Sequence, residues 1–158
     1  MIRPAGILRG MTTWGEFQAD SPELAAFGAE LLHRKPAYLA TVRADGMPRV
    51  HPVTPILTDD ALYLFMEPTS PKRNDLVERG GFALHNGVPD NYGSGGEFLL
   101  TGRAVLVDDP AVREVAVTAS QYQPLDRYIL FELHPAEARC HGYDDITLPT
   151  PKRWSAST

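Results

Sequence analysis

The stretch MPRVHPVTPIL, residues 47–57, places proline at positions 48, 52 and 55 inside a run that otherwise alternates like a β-strand. Each proline removes a ladder donor, so the segment is excluded from the middle of a sheet and confined to an edge or a bulge. Pro48 and Pro52 share parity and lose their N–H groups on the same side of the strand, while Pro55 faces the other way. Two readings follow. The segment is an edge strand that proline guards against aggregation, or it leaves the ladder to offer backbone groups to a ligand. In both, Arg49 and His51 project from one face.

The neighbouring residues show what this edge belongs to. AYLATVR (37–43) alternates with period two, and Asp45-Gly46 marks the tip of a tight turn leading into 47–57. ALYLFM (61–66) is apolar throughout and predicts a strand buried on both faces. GFALHN (81–86), EFLLTGRAVLV (97–107) and RYILFELH (127–134), the last running on towards Gly142, complete six strand-like segments. A helix is predicted over 21–34, with Ser21 as N-cap, Pro22 at the first helical position and Leu24, Phe27, Leu31 and Leu32 on one stripe. Others are predicted over 71–79 and from Asp109-Pro110, where Val112, Val115, Ala116 and Ala119 share a face. Six strands joined mostly by short turns, with two to four peripheral helices, predict a mainly β (α+β) antiparallel barrel or curved sheet. Gly102, in mid-strand, predicts a bulge or barrel corner.

A chain of 158 residues is the size of one domain with its own core, and 43% hydrophobic against 22% charged residues excludes a disordered one. Residues 1–20 and 144–158 read as an N-terminal extension and a C-terminal tail. The net charge of −5 argues against non-specific binding to nucleic acid or anionic membranes. Cys140 is the only cysteine, which excludes an intrachain disulfide and favours a cytoplasmic location. No window approaches the roughly 18 apolar residues of a membrane span. The opening MIRPAGILRGMTTW is interrupted by Arg3 and Arg9, which does not suit a signal peptide.

Within this acidic chain, FMEPTSPKRNDL (65–76) carries Lys72 and Arg73 in the first turn of a helix capped by Ser70 and opened by Pro71. A helix N-terminus bears about half a positive charge, so cations there are unfavourable and anions favoured. Ser70, two free backbone N–H groups and two cationic side chains make a phosphate site. The plainer alternative is a solvated first turn whose cations bend away.

Three blocks, YLATVRADGMPRVHPV, LYLFMEPTSPKRNDL and GEFLLTGRAVLV, resemble the flavin-binding split β-barrel proteins related to pyridoxamine 5′-phosphate oxidase, over roughly residues 14 to 142. The resemblance implies a six-stranded antiparallel split β-barrel, working as a homodimer with FMN at the subunit interface. It implies a flavin-dependent oxidoreductase of a small organic molecule. By position, Arg49, Val50, His51, Pro52, Val53 and Thr54 match the stretch along the isoalloxazine ring, Arg49 also reaching the phosphate. Phe65 and Met66 match the strand end beside the ribityl chain, Ser70 and Lys72 the phosphate-binding Ser-x-Lys, and Glu97 a polar position near the cofactor. The family's Arg-Lys pair is here Pro71-Lys72, so Arg73 must supply the second charge. The arginine-rich strand that grips the substrate phosphate in true pyridoxamine phosphate oxidases is missing from the ending PTPKRWSAST, so that reaction is not expected. Relatives of this fold also use a deazaflavin coenzyme with a longer anionic tail, which implies a deazaflavin-dependent reductase as an alternative, and some bind haem, which implies a non-enzymatic flavin- or haem-binding stress or carrier protein with His51 or His85 as the candidate axial ligand.

The remaining features point to no other chemistry. Cys140 and His141 are adjacent on a strand and so face opposite ways, which does not suit a dyad. His33, His51, His85, His134 and His141 lack the spacing of a zinc site, and no metal is expected. The Gly-rich loop 87–97, with Tyr92 its one aromatic, lacks the ending of a P-loop and reads as a mobile connection. Trp14 and Trp154 read as packing or dimer-tail residues, and Lys152-Arg153-Trp154 as a tail able to fold over a partner subunit.

Overall fold

The computed structural model describes residues 10–34, 36–143 and 146–158. Positions 1–9 of the expected extension and 144–145 of the expected tail lie outside the described residues. Within them, helices α1 (Trp14–Asp20), α2 (Pro22–Arg34), α3 (Pro71–Glu78) and α4 (Pro110–Ala119) surround one antiparallel sheet. Its strands are β1 (Ala37–Val42), β2 (Pro48–Val53), β3 (Ile56–Leu57), β4 (Leu62–Met66), β5 (Gly81–Asn86), β6 (Glu97–Val107), β7 (Ile129–His141) and β8 (Arg153–Ser155). They lie in the order β2-β1-β5-β6-β7-β4-β3, with β8 beside β7.

The strands at the two ends of that order, β2 and β3, are consecutive in the chain, with only Thr54 and Pro55 between them. Three Cα steps span at most about 11 Å, so the sheet curls until its edges approach. The result is a split-barrel-like α+β fold. Eight strands replace the expected six because 47–57 breaks at Thr54-Pro55 and because 153–155 pairs with β7. β2 pairs only with β1, so the proline-rich segment is an edge strand.

One core fills the barrel: Leu39, Leu62, Leu64, Met66, Leu84, Phe98, Leu100 and Leu133 pack with Leu24 and Leu32 of α2. β4 is buried at every position, as its unbroken apolar run predicts. Leu62, Leu64 and Met66 face the main core, while Tyr63 and Phe65 pack with Ala116 of α4 and Leu130. On α4 the apolar stripe is rotated from expectation, with Ala116 buried and Val115 exposed. Ser21 ends α1 and stands at the head of α2 as expected, its carbonyl accepting from the Ala25 N–H at 3.0 Å, but its buried hydroxyl has no hydrogen-bond partner among the described residues.

The first helix and the last strand, α1 and β8, both contribute to the core. Thr13 and Glu16 form a reciprocal capping box at the head of α1, whose Trp14 and Phe17 are fully buried. From β8, Trp154 packs its ring on Phe17 and donates its indole N–H to Asp20. Trp14 and Trp154 are thus packing residues of their own chain.

β6 and β7 change register between Thr101 and Gly102, where Thr101 pairs with Glu137 but Gly102 with Pro135. This is the bulge that Gly102 predicts. A Cβ at position 102 would stand 1.9 Å from the His134 carbonyl oxygen, which only backbone movement relieves. Gly102→Ala is expected to destabilise by about 1–3 kcal/mol, the usual cost of overpacking, read as a lower denaturant midpoint. An unchanged midpoint would show that the bulge closes at no cost.

Candidate functional site

β2 alternates strictly: Arg49, His51 and Val53 are half-buried on the core side, while Pro48, Val50 and Pro52 are exposed. Arg49 sits opposite Thr41 of β1, so the two side chains leave the same face. They meet Asp75 of α3, whose Oδ2 accepts from Thr41 Oγ1 at 2.7 Å and from Arg49 Nε at 2.9 Å. Arg79 Nη2 donates to Oδ1 at 3.3 Å. Asp75 is only 4% exposed. Burial would push its carboxyl up, but the bonds from Thr41 and Arg49, and then Arg79, outweigh this and hold it below the ordinary value.

The head of α3 opens beside this cluster. Ser70 has the extended backbone of an N-cap, yet its hydroxyl caps no N–H and accepts from Lys72 Nζ at 3.0 Å instead. The Arg73 N–H is taken by the Ser70 carbonyl at 3.0 Å. No acidic residue stands in the first turn. Lys72 is half-buried, and burial pulls its ammonium below the ordinary value. Two nitrogens here, Arg73 Nε and His51 Nε2, are buried without a hydrogen-bond partner among the described residues. Burial, then Lys72, then Arg49, holds His51 below its ordinary value, against an opposing pull from Asp75. The surroundings of the imidazole therefore favour its neutral form.

The structure thus brings together Arg49, His51, Ser70 and Lys72, while Arg73, next along α3, donates its Nη1 to Asn74 Oδ1. It adds Asp75, Thr41 and Arg79, which the sequence reading missed. Val50 and Pro52 lie on the opposite face of β2, and Thr54 is exposed beyond its end. The Phe65 and Met66 side chains are enclosed in packing, the former beneath the Arg113 guanidinium at 4.9 Å. Glu97 lies at the other end of the sheet. It is five residues, about 16 Å, along β6 from the Gly102 row that crosses Phe82 and Thr41. There it meets His85 Nε2 at 3.2 Å, beside a cavity of about 400 Å³ lined by Asp90, Tyr92 and Tyr143. The loop preceding Glu97 is held at its base by buried Asn86, which donates to the Gly96 carbonyl and accepts from the Phe98 N–H. Cys140 is buried and His141 exposed, on opposite faces. Among the described residues no group of three His, Cys, Asp or Glu is arranged to hold a metal, and no helix is long and apolar enough to cross a membrane.

The outward face of the sheet is apolar. Tyr38 and Val42 of β1, Val50 of β2 and Met47 in the turn are 43–61% exposed, beside Pro48 and Pro52. They adjoin a shallow cavity of about 540 Å³ lined by Ala40, Val42, Pro48, Ala83 and Thr101.

Comparison with known proteins agrees with this architecture. A conserved hypothetical protein of Mycobacterium tuberculosis superposes with a TM-score of 0.64 at 16% identity, covering 80% of this chain and 92% of its own. A NimC/NimA family protein of Clostridium acetobutylicum gives 0.58 at 20% identity, covering 75% and 86%. A heme binding protein of Mycobacterium smegmatis gives 0.65 at 16% identity, covering 99% of this chain and 60% of its own. At such identities these show the fold. No curated protein matches the sequence. The family model for pyridoxamine 5′-phosphate oxidase matches residues 23–142, most of the chain, and the chain belongs to the pyridoxamine 5′-phosphate oxidase family.

Proposed function

We propose that the head of α3 and the core-side face of β2 bind the phosphate of FMN, in a flavin-dependent oxidoreductase of a small organic molecule. The observation that carries this is the half-buried cation pair in the first turn of α3, where no acidic residue stands. Lys72 and Arg73 sit where the helix dipole is positive, with Arg73 Nε and His51 Nε2 buried and unpartnered. A solvated first turn does not bury such groups, because desolvating a charge without a partner is costly. A phosphate fits the donor set: the Ser70 hydroxyl, the Lys72 ammonium, and the Arg49 and Arg73 guanidinium groups. Arg73 supplies the charge missing at Pro71. When bound, a flavin supplies the hydride and electron chemistry, and the protein binds, orients and shields it.

A second reading is haem binding. Among the described residues His51 Nε2 is buried with no hydrogen-bond partner, as an axial ligand must be, whereas both nitrogens of His85 are engaged, by the Asn86 carbonyl and Glu97. A heme binding protein is among the structural neighbours. A deazaflavin coenzyme would use the same socket for its anionic tail.

The absorption spectrum of the purified protein and the mass of its released ligand separate these readings. The flavin reading expects a yellow protein that bleaches on reduction. A colourless protein that also fails to bind added FMN would sink it. The double change Lys72→Ala, Arg73→Ala removes two charge-assisted contacts of about 1.5–3 kcal/mol each. It is expected to weaken FMN binding at least about a hundredfold with the unfolding midpoint little changed; equal affinity would refute the socket.

The same site has a predicted pH response. A bound anion favours charged Lys72 and so raises its lowered pKa, so binding takes up a proton between the free and bound values. Affinity for inorganic phosphate is therefore expected to fall as pH rises through the depressed pKa of free Lys72, below the ordinary 10.5. Lys72→Met should flatten that fall; a profile that persists in the variant would place the titration elsewhere.

The apolar outer face supports a homodimer, since an exposed sheet face of this kind marks an association surface. Val50, 61% exposed at its centre, is the place to test it. Val50→Asp is expected to convert a dimer to monomer in light scattering, and a monomeric wild type would remove the dimer from the proposal.

A further inference from the structure

We infer that Asp75 is the positioning residue of this anion socket, fixing Arg49 by its Nε so that the two terminal nitrogens are left to an anionic ligand. The inference rests on the phosphate-binding reading above and concerns how that site is built. An isolated arginine in a half-buried position has several rotamers and no reason to choose one. Here Nε donates to Asp75 Oδ2 at 2.9 Å, while Nη1 and Nη2 have no hydrogen-bond or ion-pair partner among the described residues. The terminal fork is the part of a guanidinium that matches a phosphate or carboxylate. A carboxylate that neutralised Arg49 for stability alone would be expected to take that fork, which is the stronger, two-point arrangement.

Asp75 is itself held so that it cannot follow Arg49. Thr41 Oγ1 donates to the same Oδ2 from β1, and Arg79 donates to Oδ1 from the end of α3. The carboxylate is 4% exposed, one helical turn after Lys72, and so ties the strand that carries Arg49 to the helix head that carries Lys72. The side-chain freedom that a ligand would otherwise have to remove from Arg49 is already lost in the free protein.

The test is a double-mutant cycle read by FMN titration in wild type, Asp75→Asn, Arg49→Met and the double variant. Asp75→Asn is expected to weaken FMN binding about tenfold, the order of cost for re-immobilising one long side chain. In the Arg49→Met background it is expected to cost less than about twofold, because the residue through which it acts is gone. A purely structural role predicts the same loss in both backgrounds, and that result overturns the inference, as does no loss in either. A wild type that binds no FMN sinks the phosphate reading itself. Should Asp75→Asn fail to fold, Asp75→Glu takes its place, keeping the charge but displacing it by one methylene, with the same coupling expected.

Discussion

The architecture hangs on one connection. Because the two end strands of the sheet, β2 and β3, are separated by only two residues, the sheet must curl until its edges approach. Pro55 makes the break, since it denies the ladder a donor where the chain crosses from one edge to the other. The edge strand β2 is thereby left with a half-buried inner face that the barrel does not fill. α3 covers part of it through Asp75, which bonds Arg49 of that face.

Electrostatics then explains why this corner is unlike the rest of an acidic protein. Arg49 and Arg79 meet on the buried carboxylate of Asp75, and Lys72 and Arg73 stand in the first turn of the same helix, in a chain whose net charge is −5. The dominant cost is desolvation: burial lowers Lys72 and is the first cause of the shift in His51. Asp75 offsets part of it, and its hydrogen bonds outweigh its own burial. Asp75 answers Arg49 and Arg79 directly, whereas the first turn of α3, with Lys72 and Arg73, holds no acidic residue of its own.

How much of this could be read from the sequence depended on the range of the contacts. Period-two alternation is local, so β5 and β6 fall on the expected residues and β1 and β4 within one. The start of α3 is local too, and Ser70 and Pro71 stand at its head as the sequence predicts, with Lys72 and Arg73 in its first turn. Asp75 was missed because its meaning lies in Thr41 and Arg49, which come from strands; in the helix alone it is an ordinary polar residue. α1 carried a readable signal, Thr13-x-x-Glu16, but seven residues make a helix only when Trp14 and Phe17 find a core, and part of that core is Trp154 from the other end of the chain. The α4 stripe was right in spacing and wrong in rotation, since periodicity defines a face without saying where the sheet lies. Glu97 was placed correctly at the start of its strand, but the strand's length carries it away from the α3 head.

The alternation of β2 has a consequence for how the proposed activities relate. Arg49 and His51 face the socket, while Val50 and Pro52, the intervening residues, face outward with Tyr38 and Val42. A strand has no third face, and a slip of one residue in its register would exchange the two sets completely. Such a slip would point two prolines and a valine at the helix head and expose arginine and histidine on the apolar surface, destroying both at once. Pro48 and Pro52 resist it, because the β1 ladder tolerates missing donors only at particular positions. The prolines that first marked this segment as an edge therefore also hold its register, and with it the separation between polar side chains inside and an apolar face outside.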